Sequence, residues 1–446
     1  MVAADTIAAV ATAPGRGGIG VVRVSGAELG NFAMGLLGLT LEPRRATRVT
    51  FLFADKSQID DGLAVYFPGP ASFTGEDVLE LHGHGGPVVL NMLLKRCLQL
   101  GARLAAPGEF TRRAFLNDKI DLAQAEAVAD LIDAASERAV RSARRSLSGE
   151  FSAQIGRLAR QLTDLRMLVE AMLDFPEEDV ESLDRESVLR RLEPLSEGVA
   201  TILTKAQQGS VLRQGLTVVL AGQPNVGKSS LLNSLAGQDL AIVTPVPGTT
   251  RDSVRETITL DGVPLNIVDT AGLRDTDDEV EKLGIARSWR EIENADVLLL
   301  VCDARAGLSE QDIAILAKVP QRLARVIVFN KIDIAGVVAK IESAEGFSRV
   351  WLSAKTADGL QELRDVLLAV AGWSVPGEDV FLARERHIEA LQAAQSFLVA
   401  AKLELSRPEL LAEELRLAHQ RLSTITGEFT ADDLLGEIFS RFCIGK

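Results

Sequence analysis

The chain has 446 residues, 47% of them hydrophobic, and a net charge of −14. That length argues against one compact domain and for two or three, and the acidic balance disfavours non-specific nucleic-acid binding by the bulk surface. The three scattered cysteines, Cys97, Cys302 and Cys443, fit a reducing compartment and exclude a disulfide framework. The start lacks a basic-then-apolar signal pattern and no apolar run would span a bilayer, so a cytoplasmic location away from membranes is expected.

Residues 1–117 read as α/β. The runs 6–11, 20–24, 62–67 and 78–82 are strand-like, and 88–100 is predicted helical. Gly15, Gly17 and Gly20 satisfy the GxGxxG spacing of a dinucleotide site. That fingerprint requires a helix next, however, and Val21, Val22, Arg23 and Val24 are strand formers. These glycines are expected to connect strands instead. His82 and His84 would share one face of an extended strand. With no third ligand evident, a hydrogen-bonding role is expected rather than a metal pair.

From Asn117 glycine and proline become scarce and the spacing turns helical. Phe151, Ile155, Leu158, Leu162, Leu165, Leu168 and Met172 recur at intervals of three and four, an apolar stripe suited to a helical bundle. Pro176 closes that helix, an acidic stretch follows, and 187–208 is predicted helical. Residues 379–446 are helical again, interrupted at Pro408 and Gly427. The expected organisation is an α/β domain over 1–117, helices over 118–214, a second α/β unit over 215–372 and helices over 373–446. The second unit then reads as an insertion into one helical domain, tolerated where chain ends lie close at a surface.

Within that unit, 217–220 is a β-branched strand, and Gly222 to Ser229 fits the phosphate-loop pattern before a helix that ends near Gly237. Inward-pointing N–H groups and the positive helix end make an anion site. Asn225, Val226, Gly227, Lys228, Ser229 and Ser230 form it, with Lys228 on the terminal phosphates and Ser229 on Mg²⁺. Gly248, Thr249 and Thr250 follow in a segment without periodicity, where Thr250 is placed to sense Mg²⁺ and the γ-phosphate. Asp261-Gly262 is a hairpin signal between strands 254–260 and 263–268. The second strand delivers Asp269, Thr270, Ala271 and Gly272. Two more strands, 297–301 and 326–329, precede Asn330, Lys331 and Asp333, and Ser353, Ala354 and Lys355 close the pocket. A carboxylate at 333 accepts two hydrogen bonds that guanine offers and adenine does not. All these pieces in order point to a GTPase.

Three features depart from small GTPases. Leu273 occupies the place where a glutamine would orient the attacking water. The next segment is very polar, and one of its carboxylates is a candidate replacement. Asn225 is either a loop asparagine or a ligand for a monovalent cation beside the phosphates.

Taken together, the sequence resembles the MnmE (TrmE) family of tRNA-modification GTPases over essentially its whole length. The resemblance is carried by the segment Pro14 to Gly20, by Ser72-Phe73-Thr74-Gly75-Glu76-Asp77, by Arg113 to Lys119, by the inserted GTPase unit and by the ending Phe442-Cys443-Ile444-Gly445-Lys446. It implies an N-terminal folate-binding domain that dimerises, a helical domain, and a Ras-like GTPase inserted into it. It implies a homodimer acting on tRNA with a flavoprotein partner, MnmG (GidA), FAD and NADH residing only on that partner. Together they would install an aminomethyl or carboxymethylaminomethyl group at C5 of the wobble uridine, using a 5,10-methylene or 5-formyl tetrahydrofolate. By matching motifs, Arg23, Glu80, Lys119 and Lys446 should contact the folate. Glu281 should orient the water, with Arg274 in support. Nucleotide contacts extend to Thr244, Pro245, Val246 and Pro247, and K⁺ should be held by Asn225, Thr244, Val246 and Thr249. Cys443 is either a nucleophile toward the uridine or a buried structural thiol; its place fourth from the end fits a prenylation signal poorly. The alternatives are a ribosome-assembly switch GTPase, which leaves a folate pocket unexplained, and a dynamin-type GTPase, for which no membrane anchor is evident.

Overall fold

A computed structural model describes residues 5–174, 185–237, 255–269, 289, 292–293, 295–344, 347–373, 380–428, 432–440, 442 and 445. The chain divides into two units. One comprises residues 1–129, 147–160 and 419–446, and the other 130–146 and 161–418.

The first unit holds a six-stranded sheet of order β3-β4-β5-β2-β1-β6, with β1 Ile7–Val10, β2 Gly20–Gly26, β3 Thr47–Leu52, β4 Gln58–Phe67, β5 Asp77–Gly83 and β6 Arg103–Leu104. Every pairing is antiparallel except β1 with β6. Helices α1 (Gly30–Leu37) and α2 (Pro87–Gln99) cover one face, burying Val22, Val24, Phe51, Leu79 and Leu81 with Leu36 and Leu93. Each strand alternates, so the opposite face carries Arg23, Glu80 and His82. The glycine-rich segment does lead into a strand, β2. The sequence reading did not anticipate α1, β3 or α3 (Glu109–Leu116), whose short runs lack a clear period. Helix α4 (Leu122–Ile132) packs Leu122 and Ala125 on Leu435 and Phe439, close to Phe442.

The second unit holds a seven-stranded sheet of order β12-β13-β11-β10-β7-β9-β8. Its strands are β7 Leu216–Ala221, β8 Arg255–Leu260, β9 Val263–Asp269, β10 Val297–Asp303, β11 Ala324–Asn330, β12 Lys340–Ala344 and β13 Phe347–Trp351. The five central strands are parallel, and only the edge pairs β8–β9 and β12–β13 are antiparallel. Central strands covered on both faces read as continuous apolar runs: Val297 to Cys302 is buried throughout. Asp261 and Gly262 join β8 to β9 with φ of 50° and 87°, the twisted turn that the Asp-Gly signal predicts.

Helices α5 (Glu137–Leu147), α6 (Glu150–Asp174) and α7 (Arg185–Gln214) precede this sheet, and α9 (Glu385–Leu403) and α10 (Pro408–Thr426) follow it. On α6 the stripe is as expected from Phe151 to Leu165, but the next buried residue is Val169. Leu168 is half-buried instead, because 3.6 residues per turn carries the stripe past it. Helix α7 runs six residues beyond the predicted end, tolerating Pro194 in its interior. Pro408 begins α10, and Gly427, at φ 94°, follows its end. One buried carboxylate, Asp130, accepts from Arg213 at 3.0 Å and from Arg384 at 2.9 Å, tying together the chain's entry to and exit from the parallel sheet. No described helix is long and apolar enough to cross a membrane.

Candidate nucleotide site and a second polar site

The phosphate loop leaves the C-terminal end of β7 and enters α8 (Lys228–Ala236). Gly227, at φ 99°, precedes the helix. A Cβ there would fall 2.4 Å from Asn330 Nδ2, so glycine is required by both conformation and space. Lys228 Nζ donates to the Gly222 carbonyl at 2.8 Å and sits inside the loop's curl. The loop N–H groups and the start of α8 present the positive end of a dipole there. Ser229 and Ser230 occupy the first turn of that helix. The Asp269 backbone pairs with Leu220, which brings the end of β9 beside the loop.

The base-side motifs are locked to one another. Asn330, 2% exposed, donates from Nδ2 to the Val226 carbonyl at 2.9 Å. Its Oδ1 accepts from the Ala354 N–H at 2.9 Å and from Lys331 N–H at 2.8 Å. Asn330 thus fastens the phosphate loop to the Ser353–Ala354 segment. Ser353 Oγ donates to Asp333 Oδ1 at 2.8 Å and orients that carboxylate. Ser234 Oγ donates to the Ala354 carbonyl at 2.6 Å, fixing the same segment from α8. Phe329 and Trp351 stack at 4.7 Å, continuing the wall beneath it. The sequence reading missed Asp303 at the end of β10. The Arg305 guanidinium and amide hold its carboxyl well below the usual carboxylate range, with Lys331 adding to the effect. Its signal was an acidic residue at the end of an apolar strand, which is common at any sheet edge. Residues 244–250, 270–272, Arg274 and Glu281 lie outside the described residues.

The second site lies in the first unit. Arg23 and Glu80 face each other across β2 and β5, with Arg23 Nη2 to Glu80 Oε1 at 2.8 Å. The Arg23 guanidinium lies 5.8 Å from the ring centres of both Phe73 and Phe110. His82 Nε2 is 3.4 Å from Glu80 Oε2, whereas His84 pairs with Asp60 at 2.7 Å. Among the described residues no group of three or more such side chains is arranged for a metal. Lys119 Nζ donates to the Pro70 carbonyl at 3.0 Å, and Asn117 Nδ2 to the Thr74 carbonyl at 2.7 Å. Behind the loop, Arg113 bonds Glu76, Glu109 and Asp5, and Ser25 Oγ donates to Glu76. Gly445 comes so close to β1 that a Cβ would lie 2.3 Å from the Val10 carbonyl, which puts this glycine beside the strand that pairs with Arg23. Cys443 and Lys446 lie outside the described residues.

The donor set suits a flat heterocycle with an anionic tail. Phe73, 38% exposed, offers a face. Glu80 offers an acceptor for ring N–H groups, and Arg23 and Lys119 offer positive charge.

Residues 6–119 match the family described as GTP-binding protein TrmE N-terminus, and residues 122–443 match the MnmE helical domain. The chain is 63% identical over 446 residues to a tRNA modification GTPase MnmE of Dechloromonas aromatica, covering 99% of each chain. It is 59% identical to proteins of the same name from Azoarcus sp. (443 residues, 99% of this chain and 98% of that one) and Laribacter hongkongensis (446 residues, 99% of each).

Proposed function

This chain belongs to the MnmE family, and from that premise we propose that it is a GTP hydrolase working in tRNA modification. The observation carrying this is the 63% identity, across 99% of the chain, to a relative named for that activity. The base pocket supports it: Asp333 is oriented by Ser353 and backed by the buried Asn330, an arrangement suited to guanine.

The finer reading is a potassium-dependent cycle in a cytoplasmic homodimer, in which hydrolysis drives pairing of the GTPase units. Lys228 and Ser229 would hold the phosphates and Mg²⁺, with Thr250 completing the magnesium site and Asp269 acting through water. Asn225, Thr244, Val246 and Thr249 would hold K⁺, and Glu281 would orient the water in place of the absent glutamine. With the flavoprotein MnmG, the dimer would modify C5 of the wobble uridine. Arg23, Glu80, Lys119 and Lys446 would hold a tetrahydrofolate derivative, which supplies the one-carbon unit when bound. The domain limits that go with this reading are 1–117, 118–214, 215–372 and 373–446.

The deciding experiment is mass analysis of tRNA nucleosides from a strain lacking the gene, with and without this chain restored. Loss and recovery of the modified wobble uridine are expected; unchanged nucleosides would refute the reading. Two finer tests accompany it. Glu281→Ala should abolish turnover while nucleotide binding persists, and hydrolysis should be faster in KCl than in NaCl. Equal rates in the two salts would remove the cation.

A further inference from the structure

Asn225 and Lys331 are both left-handed, at φ 63° and 68°, and neither is glycine. Asparagine tolerates this region, whereas a lysine stays there only where its neighbours hold it. The two left-handed residues are joined directly: Lys331 Nζ donates to the Asn225 carbonyl at 2.6 Å. The same ammonium donates to Asp303 Oδ2 at 3.0 Å. Asp303 is only 14% exposed and its backbone is in register with Asn330, immediately before Lys331. The Ala304 N–H donates to the Asn330 carbonyl at 2.8 Å, so strands β10 and β11 fix the distance between carboxylate and lysine. Arg305, 54% exposed, also forks onto this carboxylate, but from the solvent-exposed residue of the pair.

From this chain of contacts we infer that Asp303 is a positioning residue for guanine-nucleotide binding, aiming the Lys331 ammonium at the Asn225 carbonyl and so holding residue 225 of the phosphate loop in its left-handed form. The inference rests on reading this loop as a guanine-nucleotide site. Without a negative charge at 303, the half-buried ammonium turns to solvent, and residue 225 relaxes toward ordinary φ. The loop N–H groups then no longer converge on one anion. The loss falls on ground-state binding, since it precedes any chemistry. Asp333 still reads the base, so discrimination among nucleobases is untouched.

The test compares full-length wild type with Asp303→Asn, Asp303→Glu and Arg305→Ala, reading GDP affinity by fluorescent-nucleotide titration, KM and kcat for GTP, and Tm. We expect D303N to weaken GDP binding and raise KM about tenfold, the loss of one charge-assisted hydrogen bond. Its kcat at saturation should stay within about threefold and its Tm near wild type. D303E, with its charge displaced by one methylene, should fall between. R305A should change affinity less than about twofold, because an exposed ion pair contributes little. Wild-type affinity in a folded D303N, or a fall in kcat with unchanged KM, overturns the inference. If D303N does not fold, wild-type affinity in D303E does so. A wild-type chain that binds no guanine nucleotide fails the underlying reading instead, which the first titration separates from the rest.

Discussion

At the nucleotide end of the parallel sheet, lysines are spent mainly on backbone carbonyls: Lys228 on Gly222 and Lys331 on Asn225. On the polar face of the antiparallel sheet, arginines are spent mainly on carboxylates: Arg23 on Glu80, and Arg113 on Glu76, Glu109 and Asp5. The first arrangement shapes a loop whose own N–H groups bind an anion. The second assembles its charges from distant strands and helices, which neutralise one another in a partly buried layer. A backbone site depends on conformation and tolerates changes in most side chains. A site of paired charges depends on every partner, since a lone charge there is costly to bury.

Four substitutions test that contrast, in order of expected effect. Asp333→Asn should lower GTP affinity about 10²- to 10⁴-fold, by removing two charge-assisted hydrogen bonds, and raise xanthine-nucleotide affinity. Competition binding with the two nucleotides checks it, and an unchanged preference would mean that another group reads the base. Arg113→Met should destabilise the first unit by about 3–5 kcal/mol, because it leaves partnered carboxylates without their cation. Urea unfolding measures this, while GTP hydrolysis per folded molecule should hold; a loss below about 1 kcal/mol would contradict the contrast. Arg23→Gln should weaken tetrahydrofolate binding by about tenfold, the loss of one charge-assisted contact, while leaving GDP affinity alone. Isothermal titration with each ligand distinguishes the two.

The smallest effect concerns acid. The Arg103 guanidinium, with help from Arg113, holds the Asp5 carboxyl below its usual range. Burial acts to raise Glu109, but bonds from Arg103, the Ala106 amide and Arg113 outweigh it and lower the carboxyl. Lowered folded values mean stability that is present above the unfolded values of 3.8 and 4.5 and is lost as pH falls through the folded ones. Arg103→Gln should therefore cost about 1 kcal/mol or less at neutral pH, since Arg103 and Asp5 are half exposed. The gap from wild type should narrow as pH falls below the unfolded values and close once it has passed the lowered folded ones. A gap that does not narrow as acid is added below the unfolded values would assign the effect to packing instead.

Much of the nucleotide site was legible in the sequence because it is local. Gly227, Lys228 and Ser229 adjoin one another, Asn330, Lys331 and Asp333 lie within four residues, and each group follows a short, continuous apolar run rich in β-branched residues. What could not be read there was which side chains meet. Asn330 reaches Val226 across 104 residues, and Asp303 supports Lys331 across 28. In the first unit, Arg23 meets Glu80 across 57 residues and Arg113 meets Asp5 across 108. Arg23, Glu80 and Lys119 were named only by resemblance, since nothing in their spacing joins them.

Local propensity and apolar patterning thus determined most of the strands, the longer helices around the parallel sheet and the order of the nucleotide motifs, because those depend on neighbours within a few residues. Partner choice was decided by the tertiary structure. The register of β2 on β5 sets Arg23 against Glu80, and the parallel pairing of β10 with β11 sets Asp303 beside Lys331. Register arises from the packing of whole sheet faces against their helices, and no single segment contains that information.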